Sequence, residues 1–228
     1  MSFNDYFGKW SKFLDENELN QIMKQLSSVR ADMLCPAFTD IFKAFQLCSF
    51  DKLKVIMLGM DPYPQKGIAT GLLFGNKKET SEKNLSPSLQ VIKDACIDWT
   101  MPHSIIDFDI TLESWAEQGV LLLNSALTTE VGKPGSHSML WRAAISGFLK
   151  RLSNEEYGLI FVLFGEQAKT FKPYINDKYN YILEEKHPAY YARIQEKMPP
   201  EIFNKINFLV MNLYGETINF YKEEKNES

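Results

Sequence analysis

The sequence predicts an α/β protein: a three-layer α/β/α sandwich with a central four-stranded, mostly parallel sheet. Three observations carry that expectation. Four short segments are apolar enough to be strands buried in a sheet. Segments of helical period separate them, as parallel βαβ units require. Each strand segment also stops at a turn or polar cluster, which gives the sheet a chemically distinct rim.

The elements follow in order. The first fifty residues read as helices, because "DENELNQIMKQLSSV" and "FTDIFKAFQLC" place apolar residues at helical spacing. "KVIMLG" is the first strand, and "SPSLQVIKDACIDW" and "TLESWAEQ" are helical. "GVLLLN" is the second strand, followed by the helix "MLWRAAISGFLKRL". "GLIFVLFG" is the third strand, "EQAKTF" a short helix and "YNYILEE" the fourth strand. "PPEIFNKINFLVMNLY" closes the helical layer, and "KEEKNES", residues 222–228, is a solvated charge run expected to fray. With no internal repeat and no Gly/Ser tract, residues 1–228 are expected to form a single domain.

Composition narrows the function. The net charge of -4 argues against a broad polyanion-binding surface, although it leaves room for a local basic strip. Three scattered cysteines without a CxxC pair, and three histidines without an HExxH pair, supply no ligand set for zinc or an iron–sulfur cluster. No metal and no cofactor are therefore expected. A polar N-terminus and the lack of a long apolar run lead to the expectation of a reduced, cytoplasmic, monomeric protein with no membrane partner. Aromatics make up 13% of the residues, a surplus that must lie in a core or line a binding face.

Ligands of such folds bind beyond the carboxyl ends of the strands. The four ends here are "GMDPYP", "NSALT", "FGEQ" and "EEKHPAYY", which bring Asp61, Asn124 and His187 to one rim. Pro62 and Pro64 hold Asp61 and Tyr63 extended and stiffen the loop. Asn124 offers a neutral donor–acceptor pair that matches a pyrimidine edge carrying a carbonyl beside an N–H. A neutral His187 can donate to an oxyanion forming on a substrate carbonyl. Taken singly, Asp61 reads as a turn cap, Asn124 as a turn-holding amide, His187 as a satisfied loop histidine, and Tyr63 and Phe74 as core aromatics. Their convergence on one rim favours chemistry on a planar heterocycle. No Ser or Cys nucleophile paired with a base supports acyl transfer, and neither GxxxxGK[ST] nor GxGxxG occurs.

Read together, the strand ends resemble those of family 1 uracil-DNA glycosylases over nearly the whole chain. "GMDPYP" is similar to the GQDPYH water-activating loop, and nearer still to the GIDPYP form of poxvirus members. "LESWAEQGVLLLNSALT" is close to LESWAxQGVLLLNxxLT, "SPSL" resembles the proline-rich loop, "SHS" the Ser-His stretch before a Trp, and "HPAYYA" the HPSPLS loop. The resemblance implies excision of uracil from single- and double-stranded DNA in base excision repair, without a metal. It implies that Phe74 stacks on the flipped base, Asn124 reads its pairing edge and Tyr63 blocks the C5 methyl of thymine. It further implies that His187 donates to the base carbonyl, helped by backbone N–H groups near Met60 and Asp61, and that the Asp61 carboxylate stabilises the sugar cation and positions water. Pro87, Ser88, Ser136, His137, Gly165, Ala189, Tyr190 and Tyr191 fall in the segments expected to meet DNA. An acidic DNA-mimic inhibitor is a further implied partner.

Several positions depart from the pattern. Met60 stands in place of Gln, Pro64 of His, and Ala189 and Ala192 of serines. Glu166 brings a negative charge to a phosphate path, and Tyr191 takes the place of a leucine wedge, where a flat ring is expected to stack on exposed bases. These changes predict a weakened duplex clamp and a preference for single strands. Two rival readings are a catalytically weak glycosylase-fold protein serving as a DNA-binding replication scaffold, and an enzyme for another damaged base.

Overall fold

A computed structural model of the protein describes residues 2–99 and 104–225. The chain opens with helices α1 (Phe3–Phe7) and α2 (Glu16–Leu26), then strand β1 (Leu34–Cys35), helix α3 (Lys43–Leu47) and strand β2 (Val55–Gly59). Helix α4 (Pro87–Cys96), strand β3 (Ser104–Asp107), helix α5 (Glu113–Glu117) and strands β4 (Val120–Asn124) and β5 (Thr129–Glu130) follow. Next come α6 (Ser138–Glu155), β6 (Ile160–Phe164), α7 (Gly165–Lys169), β7 (Tyr181–Glu185), α8 (Pro188–Ile194), α9 (Glu201–Tyr214) and β8 (Lys222–Lys225).

The central sheet has the order β4-β2-β6-β7, and its three pairings are all parallel rather than mostly so. Every residue of β2, β4 and β6 is buried, which accounts for their unbroken apolar runs. β7 is an edge strand, and none of its residues is fully buried. From β2 the chain moves to one side to form β4, then crosses to the other to form β6. The carboxyl end of β2 is therefore a topological switch point, where a crevice opens between diverging connections.

Helices cover the sheet, and their aromatic residues account for most of the surplus seen in the sequence. Phe7, Trp10, Phe42, Phe45 and Phe148 meet edge-to-face or tilted, with centroids 5.0 Å apart for Phe7–Phe42 and 5.4 Å for Phe45–Phe148. Trp115 packs on Phe220 at 4.9 Å and donates its indole N–H to the Phe220 carbonyl, joining α5 to the C-terminal segment.

Two small antiparallel pairs were not legible from strand patterns. β1 pairs with β5, and β3 with β8. The second pair corrects the expectation of a frayed tail: Lys222–Lys225 form a ladder with Ser104–Asp107, so backbone pairing holds this segment. Residues 226–228, the rest of that predicted tail, lie outside the described residues.

Candidate active site

The parallel sheet delivers four consecutive strand ends to one rim: Asn124 ends β4, Asp61 follows β2, Gly165 follows β6 and His187 follows β7. Gly59, the last residue of β2, lies opposite Asn124 in the ladder. A Cβ at Gly59 would sit 2.2 Å from Leu73 Cδ1 and 3.3 Å from Asn124 Oδ1, so glycine is what lets the Phe74 loop and Asn124 approach together. Asn124 is 6% exposed, and its side-chain oxygen is buried with no hydrogen-bond partner. A buried carbonyl left empty costs free energy unless something fills it, and an N–H of a bound ligand is the natural occupant.

Asp61 is half-buried, and its Oδ2 accepts the Gly135 N–H. Burial pushes the carboxyl up from the ordinary carboxylate value, while that N–H and the neighbouring Thr129 hydroxyl pull it back. The loop is pinned at Met60, whose carbonyl accepts the Ser125 hydroxyl at 2.8 Å and the Ala126 N–H at 3.0 Å. The Met60 side chain reaches to Gly135: a Cβ on that glycine would lie 3.3 Å from Met60 Cε. Met60 thus packs against the segment that holds Asp61.

Phe74 is held at φ 64°, a left-handed conformation that a bulky residue seldom adopts. The Tyr63 hydroxyl donates to the Phe74 carbonyl at 3.1 Å, and Leu73 N–H donates to the Leu122 carbonyl at 3.2 Å. These bonds fix the Phe74 ring edge-on to His187 and to Phe164, each at 5.4 Å. Burial pushes the Tyr63 hydroxyl's pKa up, against the pull of the Ser86 and Ser88 hydroxyls. Strain of this kind persists only where surrounding structure overdetermines it.

His187 caps α8, and its Nδ1 accepts the Ala189 N–H at 3.2 Å. Burial lowers its pKa, so the ring is neutral. With Nδ1 an acceptor, the proton resides on Nε2, which leaves that atom as a donor. Gly165, at φ +82°, makes space for the ring: a Cβ there would lie 2.8 Å from His187 Cβ.

The expected DNA contacts divide. Pro87 is exposed at the first turn of α4, whereas Ser88 is buried beside Tyr63. Ser136 is exposed, and its hydroxyl oxygen accepts the Glu130 N–H at 2.9 Å. His137 is buried, with Nδ1 2.9 Å from the Thr128 hydroxyl, which also accepts the Trp141 indole N–H at 2.7 Å. Ala189 is exposed, and half-buried Tyr190 lies between the cations of Lys186, 4.4 Å from its ring centroid, and Arg193, at 5.7 Å.

Tyr191 corrects its expectation. Its ring is 7% exposed, because α8 begins at Pro188 and turns it inward, and its hydroxyl donates to Glu185 Oε1 at 2.8 Å. Burial and that carboxylate push the hydroxyl up to about 12. No flat ring is offered to a base at this position. Sequence reading also missed Gly135 as the donor to Asp61, Thr128 as the anchor of His137, and Glu185 as the partner of Tyr191. The run "GKPGSHS" carried a turn signal for Gly135, but nothing local marked the other two. Among the described residues, no group of three His, Cys, Asp or Glu side chains is placed to hold a metal ion, and no helix is long and apolar enough to cross a membrane.

Comparison with known proteins gives the family. The chain is 38% identical to the uracil-DNA glycosylase of Campylobacter jejuni over 193 residues, covering 81% of the chain and 80% of that relative. It is 31% identical to the uracil-DNA glycosylase of Mycoplasmopsis pulmonis over 219 residues, 93% of the chain and 96% of the relative. Its fold resembles that of a mimivirus UNG variant in complex with UGI, with a TM-score of 0.69 at 21% identity, over 96% of this chain and 94% of that one. The model of the Uracil DNA glycosylase superfamily matches residues 45–209. That span covers most of the chain and holds all four strands of the central sheet: the chain belongs to the uracil DNA glycosylase superfamily.

Proposed function

We propose that Asp61, His187, Asn124, Tyr63 and Phe74 are the working residues of a glycosylase that hydrolyses the bond between uracil and deoxyribose. Excision of uracil from DNA, as a repair hydrolase, is the activity of this chain, in line with its family and its curated relatives. The replication-scaffold alternative is not favoured. The observation that carries the residue assignment is the unpartnered, buried Asn124 Oδ1 beside a neutral His187 and a ring held in place at Phe74.

Uracil leaves the base stack and enters the rim crevice. Asn124 Oδ1 accepts the N–H of its pairing edge, while the amide donates to the adjacent carbonyl. Phe74 lies along the face of the base, and Tyr63, anchored to the Phe74 carbonyl, fills the space a C5 methyl would need. As the glycosidic bond stretches, the electron pair moves into the base and positive charge develops on the sugar. His187 Nε2–H donates to the carbonyl that gains charge. Asp61 stabilises the sugar cation with its carboxylate and orients the attacking water. Water's hydroxyl becomes bonded to the sugar, its proton is released, and the departing uracil anion takes a proton from solvent. Met60 supplies backbone support, and the "GMDPYP" loop is a GxDPYP variant of the kind seen in poxvirus members.

DNA passes over the segments that bear Pro87, Ser136, Gly165, Ala189 and Tyr190. An acidic inhibitor that mimics DNA fits the same rim, a proposal supported by the mimivirus variant in complex with UGI. The test is release of free uracil from a deoxyuridine-containing oligonucleotide. Wild-type release that falls sharply in both Asp61→Ala and His187→Ala supports the assignment, and wild-type rates in either variant refute it.

A further inference from the structure

The turn that carries His187 is bracketed by one carboxylate. Glu185, the last residue of β7, aligns with Phe164 in the ladder, so its backbone is fixed by the sheet. Its Oε1 accepts two hydrogen bonds, from the Lys186 N–H at 2.7 Å and from the Tyr191 hydroxyl at 2.8 Å. The first bond secures the strand side of His187 and the second secures the helix side. His187 sits between them as the cap of α8, its own Nδ1 engaged by the Ala189 N–H. The Tyr191 side chain is buried as a whole, and its hydroxyl reaches out to the half-buried Glu185 carboxylate.

We infer that Glu185 and Tyr191 form a clasp that positions His187, and that Tyr191 influences the reaction through His187 rather than by stacking on DNA. The inference rests on the proposed role of His187 as donor to the leaving base. A donor of this kind works only while held within a narrow range of distance and angle. Pro188 stiffens the start of α8 but does not set the angle between the helix and β7. The clasp sets that angle. The phenyl ring of a phenylalanine would fill the same space while releasing the helix from the strand end.

The experiment measures single-turnover uracil release and oligonucleotide affinity for Tyr191→Phe, Glu185→Ala, Glu185→Gln and His187→Ala, and for Tyr191→Phe combined with His187→Ala. Tyr191→Phe and Glu185→Ala are each expected to slow release about tenfold, the effect of losing one hydrogen bond to a charged group, with oligonucleotide affinity unchanged. Glu185→Gln keeps an oxygen that accepts both bonds and should recover most of the rate. In the His187→Ala background, Tyr191→Phe should add no further loss, because its effect has nothing left to act through. Additive loss in the double variant, or a weakened affinity for duplex at an unchanged rate, would overturn the clasp and restore the wedge. A wild-type rate in Tyr191→Phe would also overturn it. A wild-type rate in His187→Ala alone is a separate result, which removes the proposed role of His187 and the inference with it.

Discussion

Replacing Gly165 by Ala puts one methyl group where the fold has left space for a histidine. The added Cβ would lie 2.8 Å from His187 Cβ and 3.5 Å from its backbone nitrogen. Reaching an ordinary carbon–carbon separation of about 3.5 Å needs the two to part by roughly 0.7 Å. The backbone at Gly165 also stands at φ +82°, a region that costs an L-residue about 1–2 kcal/mol. Gly165 cannot retreat easily, since it follows β6 in the middle of the sheet, so His187 takes most of the displacement. Full removal of an oxyanion donor costs about 10²–10³ in rate, and misplacement by an ångström about 10². Gly165→Ala is therefore expected to slow the chemical step about 30-fold, between no effect and full deletion of the donor. Its melting temperature should fall by several degrees, roughly 2–4 °C for each kcal/mol in a chain of this size. Single-turnover uracil release under saturating enzyme isolates the chemical step, and a thermal melt confirms that the variant is folded. A folded variant with the wild-type rate would refute the argument that Gly165 sets the position of His187.

Asn124→Asp exchanges the amide donor for an acceptor, so uracil release should collapse while cytosine release becomes measurable; an unchanged preference would mean that Asn124 does not read the base. For pH, burial pushes Asp61 above its ordinary 3.8 and His187 below its ordinary 6.5, so kcat/KM should fall on acidification, as Asp61 takes up a proton above the ordinary carboxylate range and His187 only below the ordinary imidazole range. Because the folded-state pKa of Asp61 is raised, its ionised form costs stability at neutral pH, and that cost disappears as pH falls through the raised value. Asp61→Asn should thus slow release severely yet melt higher than wild type at pH 7, an advantage that is lost in acid; a lower melting temperature at pH 7 would contradict the burial argument. Finally, uracil in single strands should be preferred to uracil in duplexes, because Tyr191 offers no exposed ring, Ala189 and Ala192 carry no hydroxyl, and Glu166 is exposed on α7. Glu166→Ser should raise DNA affinity most at low salt, where phosphate electrostatics dominate, and equal kcat/KM on both substrates would refute the weak clamp.

Much of this was legible in the sequence, for a physical reason. β2, β4 and β6 are covered on both faces, so their apolar runs stand out against any background, and the polar residues that end them mark the rim. That pattern is what put Asp61, Asn124 and His187 on one rim in the sequence, and the sheet order brings them there. What escaped depends on bonds between distant segments. β3 and β8 are held by backbone pairing that charged side chains conceal, so Lys222–Lys225 read as tail. Tyr191 read as an exposed wedge because motif position fixes where a residue lies along the chain, whereas helix α8 decides which way it faces. Ser88, placed in a segment expected to meet DNA, is a similar case: it is buried on α4 beside Tyr63.

The rim also gathers features that would be defects elsewhere in the molecule. Asp61 is a carboxylate raised by burial, Phe74 holds a left-handed backbone, and Asn124 has an empty acceptor in a closed environment. Each raises the energy of the free protein, and each group is held in place by a rigid neighbour: the Gly135 N–H, which offsets part of the cost at Asp61, the Tyr63 hydroxyl and the β2–β4 ladder. Under the proposed assignment, bound uracil relieves one of them by giving Asn124 its missing donor, and the developing sugar cation relieves another by giving the Asp61 carboxylate a charge to face. The relief at Asn124 is available in the ground-state complex, whereas that at Asp61 grows only as the bond breaks. On that assignment Asn124 supports recognition, and Asp61 stabilises the transition state more than the substrate, which is the condition for accelerating the reaction.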